Sequence, residues 1–187
     1  MSQFTSIILI QANSSKVIKK TVKFLELKNT SAYLIETNQG WVAVAVENQD
    51  QYGGILASHI AKELQTNVIN FMGSTDYGWK YELFNCKDRK GSFEIDYDKN
   101  PYYTNEELVL ANFEFFEELP IEKMSFTKMK EILYQAVYEE ERILEVLDLF
   151  INTLRIEKLV GFSFEALSND SIVKDDIVYI GSKEDKK

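Results

Sequence analysis

Along the first half of the chain, stretches where apolar residues alternate or run unbroken are separated by stretches where they recur every three or four positions. Residues 41–47 (WVAVAVE) put Val42, Val44 and Val46 on one side and Trp41, Ala43 and Ala45 on the other. A strand apolar on both faces is covered on both, which predicts a central place in a sheet. Residues 92–98 alternate strictly, with Phe93, Ile95 and Tyr97 set against Glu94, Asp96 and Asp98. That is the pattern of a strand with one wet face. Residues 87–91 (KDRKG) supply the turn before it, with Gly91 able to take positive φ. Further strands are predicted at residues 67–73 (NVINFMG) and 78–85 (GWKYELFN). Ile55, Leu56, His59, Ile60 and Leu64 recur at helical spacing, predicting a helix over residues 55–64 whose entry is loosened by Gly53-Gly54.

Upstream, residues 4–12 (FTSIILIQA) read as a buried strand. Asn13, Ser14 and Ser15 then offer caps for a helix over residues 17–25, where Val17, Ile18, Val22 and Leu25 repeat at helical spacing. Residues 32–37 form the next strand, turned into residues 41–47 by Asn38-Gln39-Gly40. Strand, helix, strand, strand, helix, strand is the order of a split βαβ, ferredoxin-like unit, and two more strands follow. The expected fold is α+β, with a mostly antiparallel sheet of about six strands.

Beyond residue 98 the pattern turns helical. Thr104 and Glu107 make a capping box before Leu108, Val109, Phe113, Phe116 and Leu119, and Pro120 ends that segment. Residues 126–154 contain no Gly or Pro and carry two apolar stripes. One is Phe126, Met129, Leu133 and Val137; the other is Ile143, Leu147, Phe150, Ile151 and Leu154. They predict two helices broken near residues 139–141, or one long helix. Residues 172–180 resemble a late strand, and residues 183–187 a frayed tail. The chain thus divides into a sheet unit at 1–98 and an acidic, mainly helical extension at 99–187, packed together as one compact domain.

Composition and charge narrow the functional classes. With 45% hydrophobic and 13% aromatic residues, the chain can bury a core. The single cysteine, Cys86, excludes an internal disulfide and is compatible with a reducing compartment. The first residues hold only a short apolar run with no basic residue before it, which predicts a soluble, cytoplasmic protein of bacterial type with no membrane partner. The net charge of −9 is unevenly placed. Residues 1–97 hold ten Lys/Arg and ten Asp/Glu, whereas residues 98–187 hold eleven against twenty. An acidic half argues against nucleic acid as the partner, because phosphate attraction supplies most of such affinity.

Candidate chemistry is sparse. His59 is the only histidine, so a multi-histidine metal site is excluded and any Cys–His or Ser–His scheme must use it. Its place on an apolar stripe favours a structural role, and a Cys86–His59 pair would need Cys86 to face that helix. Glu94, Asp96 and Asp98 share one strand face, as three oxygen ligands for Mg²⁺, Mn²⁺ or Ca²⁺ would; the polar side of an amphipathic strand explains them equally. Asp76 could add a fourth carboxylate, though it also suits a turn cap. Gly53-Gly54 resembles a phosphate-cradling loop but lacks the residues that complete one. No cofactor is implied.

Lys16, Lys19, Lys20 and Lys23 form a basic stripe on the first helix, either solvated or facing an anion or a second copy's acidic helices. Tyr77, Trp79 and Tyr81 share one strand face, expected to pack under helices and to serve as a binding platform only if left open. Tyr102 and Tyr103, beside Pro101, are candidate exposed anchors. These features favour a non-catalytic interaction protein, in the manner of an inhibitor or immunity protein. It would bind a basic partner through Glu114, Glu117, Glu118, Glu139, Glu140 and Glu141. The alternatives are a small-ligand sensor using the aromatic sheet face and a carboxylate-based, metal-dependent enzyme.

Overall fold

The computed structural model describes residues 4–12, 15–37, 40–74, 76–86, 88–96, 109–117, 131, 143–169 and 177–181. Seven strands form one antiparallel sheet: β1 (Phe4–Gln11), β2 (Ala32–Glu36), β3 (Trp41–Val46), β4 (Asn67–Ser74), β5 (Gly78–Asn85), β6 (Asp88–Asp96) and β7 (Ile177–Ile180). Their order is β6-β5-β4-β1-β3-β2-β7. Helix α1 (Ser15–Lys28) joins β1 to β2, and α2 (Gln49–Leu64) joins β3 to β4. In each case the chain passes over one strand before rejoining the sheet. Every residue of β3 is buried, as apolarity on both faces requires.

The strand alternation sorts the core into two layers. Ile8, Ile10, Val42, Val44 and Val68 face Phe24 and Leu25 of α1 and Ala57, Ile60 and Ala61 of α2. Ile7, Leu9, Phe71, Trp79, Tyr81 and Phe93 point the other way. That side is covered by α3 (Phe113–Glu117), α4 (Ile143–Leu154) and α5 (Phe164–Ser168). Phe150 of α4 stacks on Tyr81 at a centroid distance of 5.1 Å, and Phe116 meets Tyr81 edge-on at 5.5 Å. The aromatic row is therefore packed rather than open, and Tyr77 lies outside it, exposed in the turn before β5.

The second half is fastened to the first through backbone as well as rings. The Ser6 N–H donates to the Phe162 carbonyl at 2.8 Å, and the Gly161 N–H donates to Thr5 Oγ1 at 2.8 Å. β7 completes the β2 edge in register, Tyr33 opposite Tyr179. Residues 177–180 of the expected late strand pair in this way, and residues 172–176 lie outside the described residues.

Two local expectations change. First, α2 begins at Gln49, so Gly53-Gly54 lies inside the helix rather than at its entry. No phosphate-cradling loop exists there. Second, Gly91 is in β6, and the positive φ of that hairpin (+53°) belongs to Cys86. Gly91 meets a different need: a Cβ there would lie 2.9 Å from the Leu110 carbonyl and 2.8 Å from Asn112 Cβ. The chain at 110–112 runs tight against this edge, where Asn112 Nδ2 donates to the Lys90 carbonyl at 2.7 Å. Lys90 is the extra residue of a bulge between Leu83 and Phe84, which helps shield the edge. In the turn before β5, the Asp76 N–H donates to Ser74 Oγ at 3.2 Å.

Tyr81 gives a pH-dependent expectation. Its hydroxyl donates to the Ala111 carbonyl at 2.9 Å, and burial raises its pKa well above 10.0. A neutral phenol is thus favoured in the folded state. Its contribution is complete below the unfolded pKa of about 10 and is lost as pH climbs toward the folded value. Tyr81→Phe should destabilise by about 1–3 kcal/mol at neutral pH, since the Ala111 carbonyl loses its donor. In urea titrations that gap should narrow above about pH 10. A gap constant up to strongly alkaline pH would contradict this account.

A groove beside the second helix

The position of α2 is set by small residues. Gly53, Ala57 and Ala61 face the sheet with Ile60, while Ile55 and His59 are exposed. Close seating needs the absence of side chains: a Cβ at Gly53 would lie 2.7 Å from Gln49 Cγ and 2.8 Å from Asn70 Oδ1. A Cβ at Gly54 would run into the Glu82 carboxylate. Counting large apolar residues therefore recovers only part of the buried face. Of the expected stripe, Ile60 is buried and Leu56 and Leu64 pack against the core, while Ile55 and His59 turn outward.

Beneath the two glycines runs a chain of polar side chains. Gln49 Nε2 donates to Asn70 Oδ1 at 3.1 Å, Asn70 Nδ2 donates to Glu82 Oε2 at 3.1 Å, and Arg89 Nη2 pairs with Glu82 Oε1 at 3.1 Å. Its direction is fixed from the charged end. The ion-paired carboxylate can only accept, so Asn70 turns its NH₂ toward Glu82 and its oxygen toward Gln49. Gln49 must then donate, which leaves its own Oε1 buried with no partner. The buried end is well ordered by this logic, and the Arg89 end, with 54% of its side chain accessible, reaches solvent.

That accessible end opens into a groove of about 690 Å³ between α2 and the β5–β6 hairpin. Asp50, Ile55, Ser58 and His59 line it from the helix; Lys80, Glu82, Ser92 and Glu94 line it from the sheet. Leu110 stands across from the helix, and Ile55 and Leu110 are each 60% exposed. Lys80 and Glu94 are register partners on neighbouring strands, yet among the described residues the ion pairs are Arg89–Glu82 and Lys90–Asp88. The groove thus presents both charges and apolar walls. Its volume falls within the range of ligand sites.

The candidate residues scatter around this feature. Glu94 is exposed on the groove wall, and Asp96 shares its strand face at the end of β6. Asp98 lies outside the described residues, among which no three His, Cys, Asp or Glu side chains are placed to hold a metal. Cys86 is half-buried in the β5–β6 turn and does not line the groove that His59 lines. Glu114 is exposed on α3, and Glu117 ends that helix. Glu118, Glu139, Glu140, Glu141, Tyr102 and Tyr103 lie outside the described residues. No described helix is long and apolar enough to cross a membrane.

Asn70, Gln49, Lys80, Glu82 and Arg89 were missed as a group. One signal was available: an asparagine in the middle of the otherwise apolar run NVINFMG, which a buried strand accepts only with a partner. In comparisons with protein-family models, curated proteins and solved structures, the chain matches none.

Proposed function

We propose that this protein is a non-catalytic interaction module that receives a segment of a basic partner protein in the groove beside α2. The observation that carries this reading is the groove itself, with exposed Ile55 and Leu110 on opposing walls and carboxylates of Asp50 and Glu94 beside them. Apolar anchors with a few placed polar groups are what recognition sites use. Glu82 is engaged by Arg89, which leaves Asp50 and Glu94 against Lys80 as the charges on offer. The acid excess of residues 98–187 supports a basic partner, since complementary charge speeds encounter. On the aromatic face, Phe150 and Phe116 pack against Tyr81, so the groove beside α2 is the more open surface.

The test is retention of short peptides from a library balanced for charge. Retained sequences should be rich in Lys or Arg next to an apolar residue. Replacing Asp50 and Glu94 together with lysine should weaken their binding by about tenfold or more, equal to 1.4 kcal/mol. Stability should change by no more than about 0.5 kcal/mol, because both positions are exposed. Retention of acidic peptides, or binding that ignores the double substitution, would overturn the assignment.

A further inference from the structure

The outer side of the layer formed by α1 and α2 combines lysines with isolated apolar side chains. Of the charged residues on these two helices, six are lysines and three are acids, Glu26, Asp50 and Glu63. Lys16, Lys19, Lys20 and Lys23 are all exposed, opposite the buried Thr21, Phe24 and Leu25. Leu27 follows Lys23 by four positions and Lys20 by seven, so it lies on the same stripe, and it is 75% exposed. Two flanking elements add apolar groups. Tyr52 of α2, 58% exposed, shares a cavity of about 340 Å³ with Lys28 at the end of α1. Val178 of β7, 52% exposed, stands two residues from Ile180, which belongs to the core beneath α1 and α2, so it faces the same side.

We infer that this side of the molecule attaches to an anionic lipid surface, with the four lysines against charged headgroups and Leu27 entering the headgroup layer. The lysines do not help α1 fold. Their spacing makes four like-charge pairs three or four residues apart, each unfavourable to an isolated helix. Lys16 stands in a first turn that holds no acidic residue, at the end of the helix dipole that repels cations. Lys28 lies over the Phe24 ring at 5.8 Å, but the described ion pairs, Glu82–Arg89 and Asp88–Lys90, involve none of the four. An anionic surface outside the chain offsets that cost. A nucleic acid would engage the lysines and leave Leu27 and Val178 without a role. Protein interfaces gather their apolar anchors near one centre. Here they stand singly on two helices and an edge strand with the lysines among them, which suits a flat boundary carrying charge above and hydrocarbon below. Each lysine near such a surface strengthens binding by about fivefold. The net charge of −9 opposes the approach, but it acts through charges on every side of the molecule. Helices on opposite faces of the sheet are separated by two layer spacings of about 10 Å each, beyond the screening length of about 8 Å at physiological salt, so the lysine side dominates at contact. The attachment is peripheral, since no described helix is long and apolar enough to cross a membrane. It does not depend on the groove, which Leu27, Tyr52 and Val178 do not line.

The experiment is co-sedimentation of the full chain with vesicles of phosphatidylcholine alone and of phosphatidylcholine containing about one third phosphatidylserine. The protein should partition onto the mixed vesicles and remain in the supernatant with phosphatidylcholine. Raising salt from about 0.1 M to about 1 M should weaken binding by about tenfold or more, as the screening length falls from about 10 Å to about 3 Å. Changing Lys16, Lys19, Lys20 and Lys23 together to Gln should abolish measurable partition and leave the circular dichroism of a folded chain, since all four are exposed. If that variant fails to fold, the Lys16→Gln, Lys20→Gln pair should still weaken partition by about 25-fold. Leu27→Ser should weaken it by about threefold with the salt dependence unchanged, because it removes an apolar contact alone. No partition onto the mixed vesicles would overturn the inference. So would partition that ignores the lysine substitutions, or a Leu27→Ser variant that binds as the wild type does. Lysine-dependent retention on RNA or poly-glutamate that exceeds retention on the vesicles would overturn it as well.

Discussion

Changing Phe150 to alanine should remove about 3–5 kcal/mol of stability, a large share of the 5–15 kcal/mol of an ordinary domain. The ring is fully buried and lies 5.1 Å from Tyr81, 5.2 Å from Trp79, 5.5 Å from Phe71 and 5.7 Å from Phe116, centroid to centroid. It is nearly parallel to Tyr81 (6°) and Phe71 (19°), and it ties α4 to both β4 and β5. Truncation loses the burial of the ring and leaves a cavity that four other rings cannot readily close. Phe150→Leu keeps much of the volume and should cost clearly less. Urea denaturation of both variants decides the matter. A loss below about 1 kcal/mol for the alanine variant would mean that α4 does not seat on the aromatic face.

That face shows what a period-two reading can recover. Tyr77, Trp79 and Tyr81 were assigned to one side of β5 by alternation alone; Trp79 and Tyr81 are buried together, while Tyr77 precedes the strand and is exposed. Ile143, Leu147, Phe150, Ile151 and Leu154 were assigned to one helical stripe; Phe150 and Leu154 are buried, and Leu147 and Ile151 pack against the same core. Alternation and helical spacing report which side is apolar. They do not report which partner covers it, so the contact between Phe150 and Tyr81 could not be read from either segment.

The second helix was legible only in part, since Ile60 is buried as its spacing implies but Ile55 and His59 are exposed. Hydrophobic periodicity weights residues by size and apolarity, and α2 turns its glycines and alanines to the sheet. Small residues permit the close approach that places Gly53 over Asn70 and Gly54 over Glu82. The groove follows from that placement: Ile55 and His59 are displaced outward to become its wall. Its floor was equally hard to foresee, because Asn70, Glu82 and Arg89 come from three different strands joined only by register. Gly91 taught the same lesson at the other edge, where a glycine expected to serve a turn serves a close approach.

A second large effect is expected at Gly78, where alanine should cost on the order of 3 kcal/mol or more. Its φ is +122°, outside the regions L-residues adopt comfortably. An added Cβ would also run into the Ile95 carbonyl oxygen and lie 2.9 Å from its carbon and 3.0 Å from Asp96 Cα. These are backbone atoms of the neighbouring strand, so no side-chain rotation relieves the contact. Either the end of β6 moves away or Gly78 leaves its pairing with Ser74 and Asp96. Both outcomes disturb Trp79, the next residue, which is buried among Phe71, Phe93 and Phe150. Gly40 provides the control: its φ is +81°, yet nothing lies within 4 Å of the added Cβ. Gly40→Ala should therefore show the dihedral penalty alone, about 1 kcal/mol. Equilibrium unfolding of the two variants separates strain from collision. Equal losses would show that the approach of β6 to Gly78 is looser than its geometry indicates, and a larger loss at Gly78 would show that this end of the sheet cannot yield.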